Sequence, residues 1–213
     1  MMPSLRHLLA AHAPLLVLDA ASAQVQLGRL GADGTGEWQT SGDEAGVGVF
    51  ACLEKLDATP GDFGAWIFCD GPGSILGIRT VAMALRTWRV LEARPVFGFC
   101  SLAVVAHAHG RRDVAVIADA RRDAWHHYLI GGALRRVPTA GLAGELIMPE
   151  NFRHWSASPA GVRRVPYALA ELFPKVMDDD LFHATEAPDA FLHEEPNYVT
   201  WTPQIHRAPS AKS

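Results

Sequence analysis

The chain is short of cysteine, lacks an excess of positive charge and holds no long apolar run, and each shortage closes off a class of protein. Its three cysteines, Cys52, Cys69 and Cys100, are odd in number, far apart and set among apolar residues. A disulfide framework is therefore excluded, and a reducing compartment fits. Lys plus Arg number 19 against 23 Asp plus Glu, a net charge of −4. A chain that gripped nucleic acid unaided would need a basic excess or a concentrated basic face. No apolar stretch reaches the roughly 18–20 residues of a membrane helix. The phosphate loop G-x-x-x-x-G-K-[ST] and the zinc motif H-E-x-x-H are both missing, as is any short-period repeat. What is present is a chain of 213 residues, 49% hydrophobic, enough to bury the core of one large or two small domains.

Residues 1–23 have the outline of a secretory leader: Arg6, then an apolar region over Leu8 to Leu18, then Ala21-Ser22-Ala23 as a cleavage site. His12 and Pro14 break the apolar region, and Asp19 precedes the cut. The segment reads better as an amphipathic lead (Leu5, Leu8, Leu9) feeding a buried strand, Leu15 to Asp19, and the chain as cytosolic.

Period-2 alternation over Ala23 to Leu30 predicts a half-buried strand, and Gly31 to Gly34 a hairpin turn into a third strand at Glu37 to Thr40. Ser41 or Asp43 is the predicted cap of a helix running to Leu56, with Val49, Phe50, Leu53 and Leu56 on one side. Gly46 and Gly48 weaken its start by roughly 1 kcal/mol each, so a tertiary contact should hold that end. Ala65 to Cys69 is an apolar run of strand length, followed by a glycine-rich turn over Asp70 to Gly77 and a helix over Arg79 to Ala93. Val81, Ala84, Leu85, Trp88 and Leu91 form its stripe. Pro95 opens a strand at Val96 to Phe99, and Ser101 is the predicted cap of a short helix. Asp113 to Ala118 is another buried strand, followed by strands at Trp125 to Ile130 and Ala133 to Val137. Signals then weaken: a strand at Gly161 to Val165, a helix from Tyr167 to Met177, a short helix from Pro188 to Glu194 and a tail from Pro203. The alternation of strands and helices implies an α/β fold with a partly parallel sheet. A boundary near Gly110 divides it into lobes over residues 1–110 and 111–213.

Few residues assemble into recognisable chemistry. The turn Asp70-Gly71-Pro72-Gly73-Ser74-Ile75-Leu76-Gly77 could cradle phosphate at a helix N-terminus. Its G-x-G-x-x-x-G spacing is one residue longer than the dinucleotide fingerprint, however, and Pro72 removes a donor. Ser74 lacks the G-x of a nucleophile elbow. Cys100, upstream of His107 and His109, reads as a buried thiol rather than a nucleophile. Neither His107 with His109 nor His126 with His127 points two rings the same way in a helix or strand, so no metal site is expected. Arginine pairs at 111–112, 121–122, 135–136 and 163–164 read as solvated strand ends; only a shared face would make them a partial RNA footprint.

In the order of its segments the chain resembles the TsaB (YeaZ) family. That family's opening I-L-A-I-D-T-S is matched by Leu15-Leu16-Val17-Leu18-Asp19-Ala20-Ala21-Ser22. Its signature G-P-G-S-F-T-G-L-R-I-G is matched by Gly71-Pro72-Gly73-Ser74-Ile75-Leu76-Gly77-Ile78-Arg79-Thr80-Val81. P-V-x-G-V-S-S-L corresponds to Pro95 through Leu102, D-A-R-x-x-E-V-Y to Asp119 through Trp125, and E-P-x-Y-L-R to Glu195 through Thr200. The departures are Ala20-Ala21 after the aspartate, Ile75-Leu76 in place of Phe-Thr, and Thr80-Val81 in place of Ile-Gly.

The resemblance implies an actin-like, ribonuclease H-like two-lobed fold (ASKHA), with mixed sheets flanked by helices and no catalytic site of its own. Such a subunit supports the catalytic subunit TsaD, which forms threonylcarbamoyladenosine on tRNA next to the anticodon, in an assembly that includes the ATPase TsaE. The helices around the glycine turn form the interface with TsaD or with a second copy of the subunit; here that points to Val49, Phe50, Leu53, Met83, Thr87 and Val90. A vestigial nucleotide site would fall at Asp19, Ser22 and Asp119, with ATP bound only at a subunit interface, no metal, and tRNA met indirectly. Two alternatives stay open. One is a small nucleotide-binding protein or phosphotransferase using Asp19, Gly73 and Asp119. The other is a divergent paralogue that has lost the TsaD partnership.

Overall fold

The computed structural model describes residues 2–191. Ser4 starts the first helix, α1 (Leu5–His12), by accepting the His7 N–H at 3.3 Å. Leu5, Leu8 and Leu9 lie on one face and are buried. The chain then enters β1 (Leu15–Asp19), whose five residues are all buried, as a strand covered on both faces requires. Within the segment that has a leader's outline, residues 15–19 are thus an interior strand of the first sheet. β2 (Val25–Leu30) and β3 (Gly36–Ser41) continue as antiparallel neighbours on one side of β1. β4 (Ala65–Gly71) and β5 (Val96–Cys100) add parallel strands on the other.

Two helices cross over this sheet. α2 (Ala45–Lys55) buries Gly48, Val49, Cys52 and Leu53. Its predicted caps do not cap it: the Ser41 hydroxyl donates to Asp43 Oδ2 at 2.7 Å and accepts the Asp43 N–H, so the two residues satisfy each other. Glu44 precedes the helix without a side-chain bond. The contact expected at its weak start is Gly48 against Val25, whose Cγ2 lies 2.9 Å from where a Cβ would sit. α3 (Ile75–Leu91) begins four residues before the predicted Arg79, because Ser74 is its cap and accepts the Gly77 N–H at 3.3 Å. Ile78, Val81, Ala82, Leu85 and Trp88 are buried, and the predicted Leu91 is exposed. In α4 (Ser101–His109) the cap position is taken by Cys100, and Ser101 is the first helical residue.

α4 packs on β4 and β5 and also on the second sheet, joining the two lobes. That sheet has the order β10-β9-β6-β7-β8, built from β6 (Val114–Asp119), β7 (Ala124–Tyr128), β8 (Arg135–Pro138), β9 (Glu145–Pro149) and β10 (Arg163–Val165). β9 was not foreseen; its apolar centre is only Leu146-Ile147-Met148, and parallel pairing to the buried β6 makes it a strand. The helix predicted from Tyr167 to Met177 is a single α-turn, α5 (Leu169–Leu172), continued as a 3-10 turn over Phe173–Val176 that holds Pro174. The chain then returns to the first sheet as β11 (Phe182–Ala184), antiparallel to β5 at its edge, giving the order β11-β5-β4-β1-β2-β3. Phe173 and Phe182 stack edge-to-face on Phe99 at 5.4 and 6.1 Å and on each other at 5.7 Å. Such pairs contribute about 0.5–1.5 kcal/mol each beyond burial and lock this return segment to the first lobe. No helix follows Pro188 over residues 188–191; the rest of that predicted helix, the Glu195–Thr200 match and the tail lie outside the described residues.

Candidate functional site

The glycine signature is a joint between backbones. β4 ends at Gly71 with φ 128°, a conformation L side chains rarely adopt. The Ser74 N–H donates to the Ala21 carbonyl at 2.7 Å. A Cβ on Gly73 would overlap the Ala21 carbonyl, and one on Gly77 the Ala20 carbonyl. The Pro72 carbonyl accepts the buried Ser101 hydroxyl at 2.6 Å. Arg79 leans away, 3.6 Å from Asp189. The turn therefore seats the start of α3 on the loop after β1, and two of the N–H groups that would face an anion are engaged within the chain.

The three residues marked for a nucleotide do not converge on an open site. Asp19 is fully buried beneath Tyr167, whose hydroxyl donates to Oδ2 at 2.6 Å while the Ala21 N–H donates to Oδ1 at 3.0 Å. Burial raises its pKa to about 6 against these bonds. Ser22 closes a turn on Gln24. Asp119 receives the N–H groups of Arg121, Trp155 and Ser156 at 2.5, 2.6 and 2.7 Å. Partial burial works against its charge, but these donors prevail and hold its pKa below the ordinary carboxylate value.

The interface residues divide. Val49 and Leu53 are 1% and 5% exposed and belong to the core, so they present nothing to a partner. Phe50, Met83 and Val90 are 56%, 57% and 85% exposed. On α3, Leu76, Thr80, Met83, Thr87 and Val90 recur at alternating spacings of four and three, the pattern of a helix that packs on another helix. Thr80 and Thr87 donate their hydroxyls to the carbonyls of Leu76 and Met83, both at 2.9 Å, so this stripe requires no polar partner. The flanking arginines hold a strap instead: Arg86 pairs with Asp189 at 3.3 Å and Arg89 with Glu186 at 2.9 Å.

Other reactive groups are engaged or suppressed. Burial pushes the Cys100 thiol up to about 12, and burial, with Asp19 and Asp70 beside it, raises Cys69 well above its ordinary value. His183 Nε2 lies 3.0 Å from Asp70 Oδ2, and that bond raises the imidazole pKa. His107 pairs with Asp179 at 2.9 Å. Among the described residues no group of three or more His, Cys, Asp or Glu is placed to hold a metal, and no helix is long and apolar enough to cross a membrane.

A cavity of about 360 Å³ lies between the lobes, where the glycine turn faces the end of β6. Arg121, Arg136 and Arg153 line it together with Trp155, against the apolar Ile75 and Leu76. Sequence reasoning had reached Arg121 and Arg136 only as members of pairs. It missed Arg153 and Trp155, which sit in an irregular stretch whose place is set by Asp119.

No protein-family model and no curated protein matches the sequence. The fold does match solved structures. YeaZ from Pseudomonas aeruginosa superimposes with a TM-score of 0.57 at 18% identity, over 75% of this chain and 89% of that one. A second structure, described as an uncharacterized protein with similarity to peptidase YEAZ from Pseudomonas aeruginosa, gives 0.55 at 18%, over 76% and 88%. Two mixed sheets flanked by helices, in the arrangement of these structures, are the actin-like fold of YeaZ (TsaB).

Proposed function

We propose that this chain is a non-catalytic scaffold subunit that docks on a TsaD-type catalytic subunit and supports the formation of threonylcarbamoyladenosine on tRNA. The observation that carries the reading is the exposed apolar stripe on α3, with Phe50 of α2 beside it, on a chain with the YeaZ fold. A contiguous apolar helix face of this kind marks a protein contact. The burial of Asp19 and the closed bonding of Asp119 favour a scaffold over a phosphotransferase, since neither carboxylate is offered to a phosphate or a metal. TsaE joins the same assembly in this reading, and a second copy of the chain competes for the same face.

Co-purification with the TsaD of the same organism tests it, together with nucleoside analysis of bulk tRNA from a clean deletion. A stable complex and loss of threonylcarbamoyladenosine are expected; unchanged nucleoside levels would sink the assignment. Met83→Asp should dissociate the complex while the chain stays folded, because the side chain is already in water. If it binds as wild type, the contact lies elsewhere.

A further inference from the structure

The arginine-lined cavity continues into a second depression of about 540 Å³, lined by Asn151, Phe152, His154 and Arg164 and sharing Arg153 and Trp155 with the first. The two form one groove that runs from the glycine turn onto the second lobe, its arginines all on the second-lobe side. Its cations are Arg121, Arg136, Arg153 and Arg164. Asp119 is the one carboxylate among the lining residues of either depression, and three backbone donors already hold it. No carboxylate among the described residues pairs with Arg121 or Arg153. The Arg121 guanidinium sits 4.2 Å from the ring centroid of Trp155, a residue that is 61% exposed. Asp119 gathers these groups: one oxygen takes the Arg121 N–H and the other those of Trp155 and Ser156, which fixes cation and ring side by side. Arg121, Arg122 and Asp123 all have positive φ, at 61°, 54° and 55°. Backbone in that region is strained for side-chain-bearing residues and needs a surrounding structure to hold it. Beyond Arg153, a third depression carries Asp43 and Glu44, so the basic surface ends there.

We propose that this groove binds a short single-stranded segment of RNA, with Arg121, Arg153 and Arg164 on successive phosphates and the Trp155 indole stacked on a base. A basic track with an exposed aromatic ring is how proteins hold single strands. A duplex keeps its bases stacked and would leave the indole without a partner. The choice of RNA among polyanions rests on the tRNA-modification reading; the cation and stacking chemistry does not. The net charge of −4 is no obstacle, because the basic residues are concentrated on one face.

Fluorescence anisotropy of the full chain with a fluorescein-labelled oligouridine tests the proposal, with heparin and a polyglutamate peptide as stacking-free anions. Binding should weaken with salt, with a log–log slope of about −2 for three phosphate contacts. Arg153→Ala should make that slope shallower by about 0.7. Trp155→Ala should weaken RNA binding about tenfold and leave heparin binding unchanged, while Trp155→Phe keeps most of the affinity. Thermal unfolding of each variant reports whether the fold is intact. No RNA binding by the wild-type chain at about 50 mM salt, equal affinity of wild type and Trp155→Ala, or equal loss of RNA and heparin in that variant each overturns it. Failure of TsaD co-purification with RNA binding retained overturns the scaffold reading and leaves the groove standing.

Discussion

Asp19 is the one acidic residue among those described that is wholly buried, and its chemistry is that of a core group. Its folded pKa of about 6 lies above the ordinary 3.8, so the folded chain holds a proton that the unfolded chain releases between those values. Stability from this group is therefore fully present below about pH 3.8 and is lost, about 3 kcal/mol in all, as pH rises through about 6, levelling off above that. Cys69 and Tyr167 face the same carboxylate and are pushed far above neutral by burial, so they do not titrate in that window. Asp119 and Asp178, with lowered pKa values, contribute stability that is lost only as pH falls below about 4. Urea midpoints should accordingly decline less steeply from pH 4 to 7 for Asp19→Asn than for the wild-type chain, the slope that remains belonging to Asp70 and His183, whose pKa values are also raised. A parallel decline in both would assign the titration to another group.

At the scale of the element, the glycine signature owes its composition to how closely α3 approaches the loop after β1. Gly77→Ala drives a methyl into the Ala20 carbonyl, and an overpacked backbone contact of this kind costs up to about 3 kcal/mol. Gly46, in the first turn of α2, has only Thr80 Cγ2 at 4.0 Å. Gly46→Ala should be neutral or stabilise by up to about 1 kcal/mol. Chemical denaturation of the pair reads both signs; equal effects would mean that helix propensity, not packing, governs the signature. The same comparison shows why helix starts were the least legible boundaries. Ser41 and Asp43 look like caps in isolation but satisfy each other, whereas Ser74 looked like part of a loop and is the cap of α3.

Across the whole molecule, the proposed scaffold role and the proposed RNA groove fall to two surfaces. The apolar stripe of α3 and the arginine groove meet at Leu76, which lines the cavity, but Val90 lies at the far end of the stripe, so a change there should leave the groove intact. Val90→Asp, at the most exposed apolar position, should lower affinity for the catalytic subunit by at least tenfold, an order-of-magnitude figure for a charge placed in an apolar contact, with oligouridine binding unaltered. Competition and co-purification on one preparation check the separation; simultaneous loss of both would show that the variant had unfolded or that the surfaces are coupled.

Local pattern alone determined much of this architecture. Continuous apolar runs at Leu15 to Leu18, Ala65 to Cys69, Val96 to Phe99 and Val114 to Ala118 have the length and composition of strands covered on both faces, and they became the parallel-paired centres of the two sheets. The motif order was enough to identify the actin-like fold. Tertiary structure decided the rest, because the remaining choices depend on partners distant in the chain. β9 has an apolar centre of only Leu146 to Met148 and β11 is three residues long, too little to announce a strand, and both exist because β6 and β5 offer edges to pair with. Whether Gly73 and Gly77 admit a phosphate or a carbonyl depends on Ala20 and Ala21, and whether Val49 and Leu53 face a partner depends on the sheet beneath them. Arg121 and Trp155, separated by more than thirty residues, meet only because both hang from the carboxylate of Asp119.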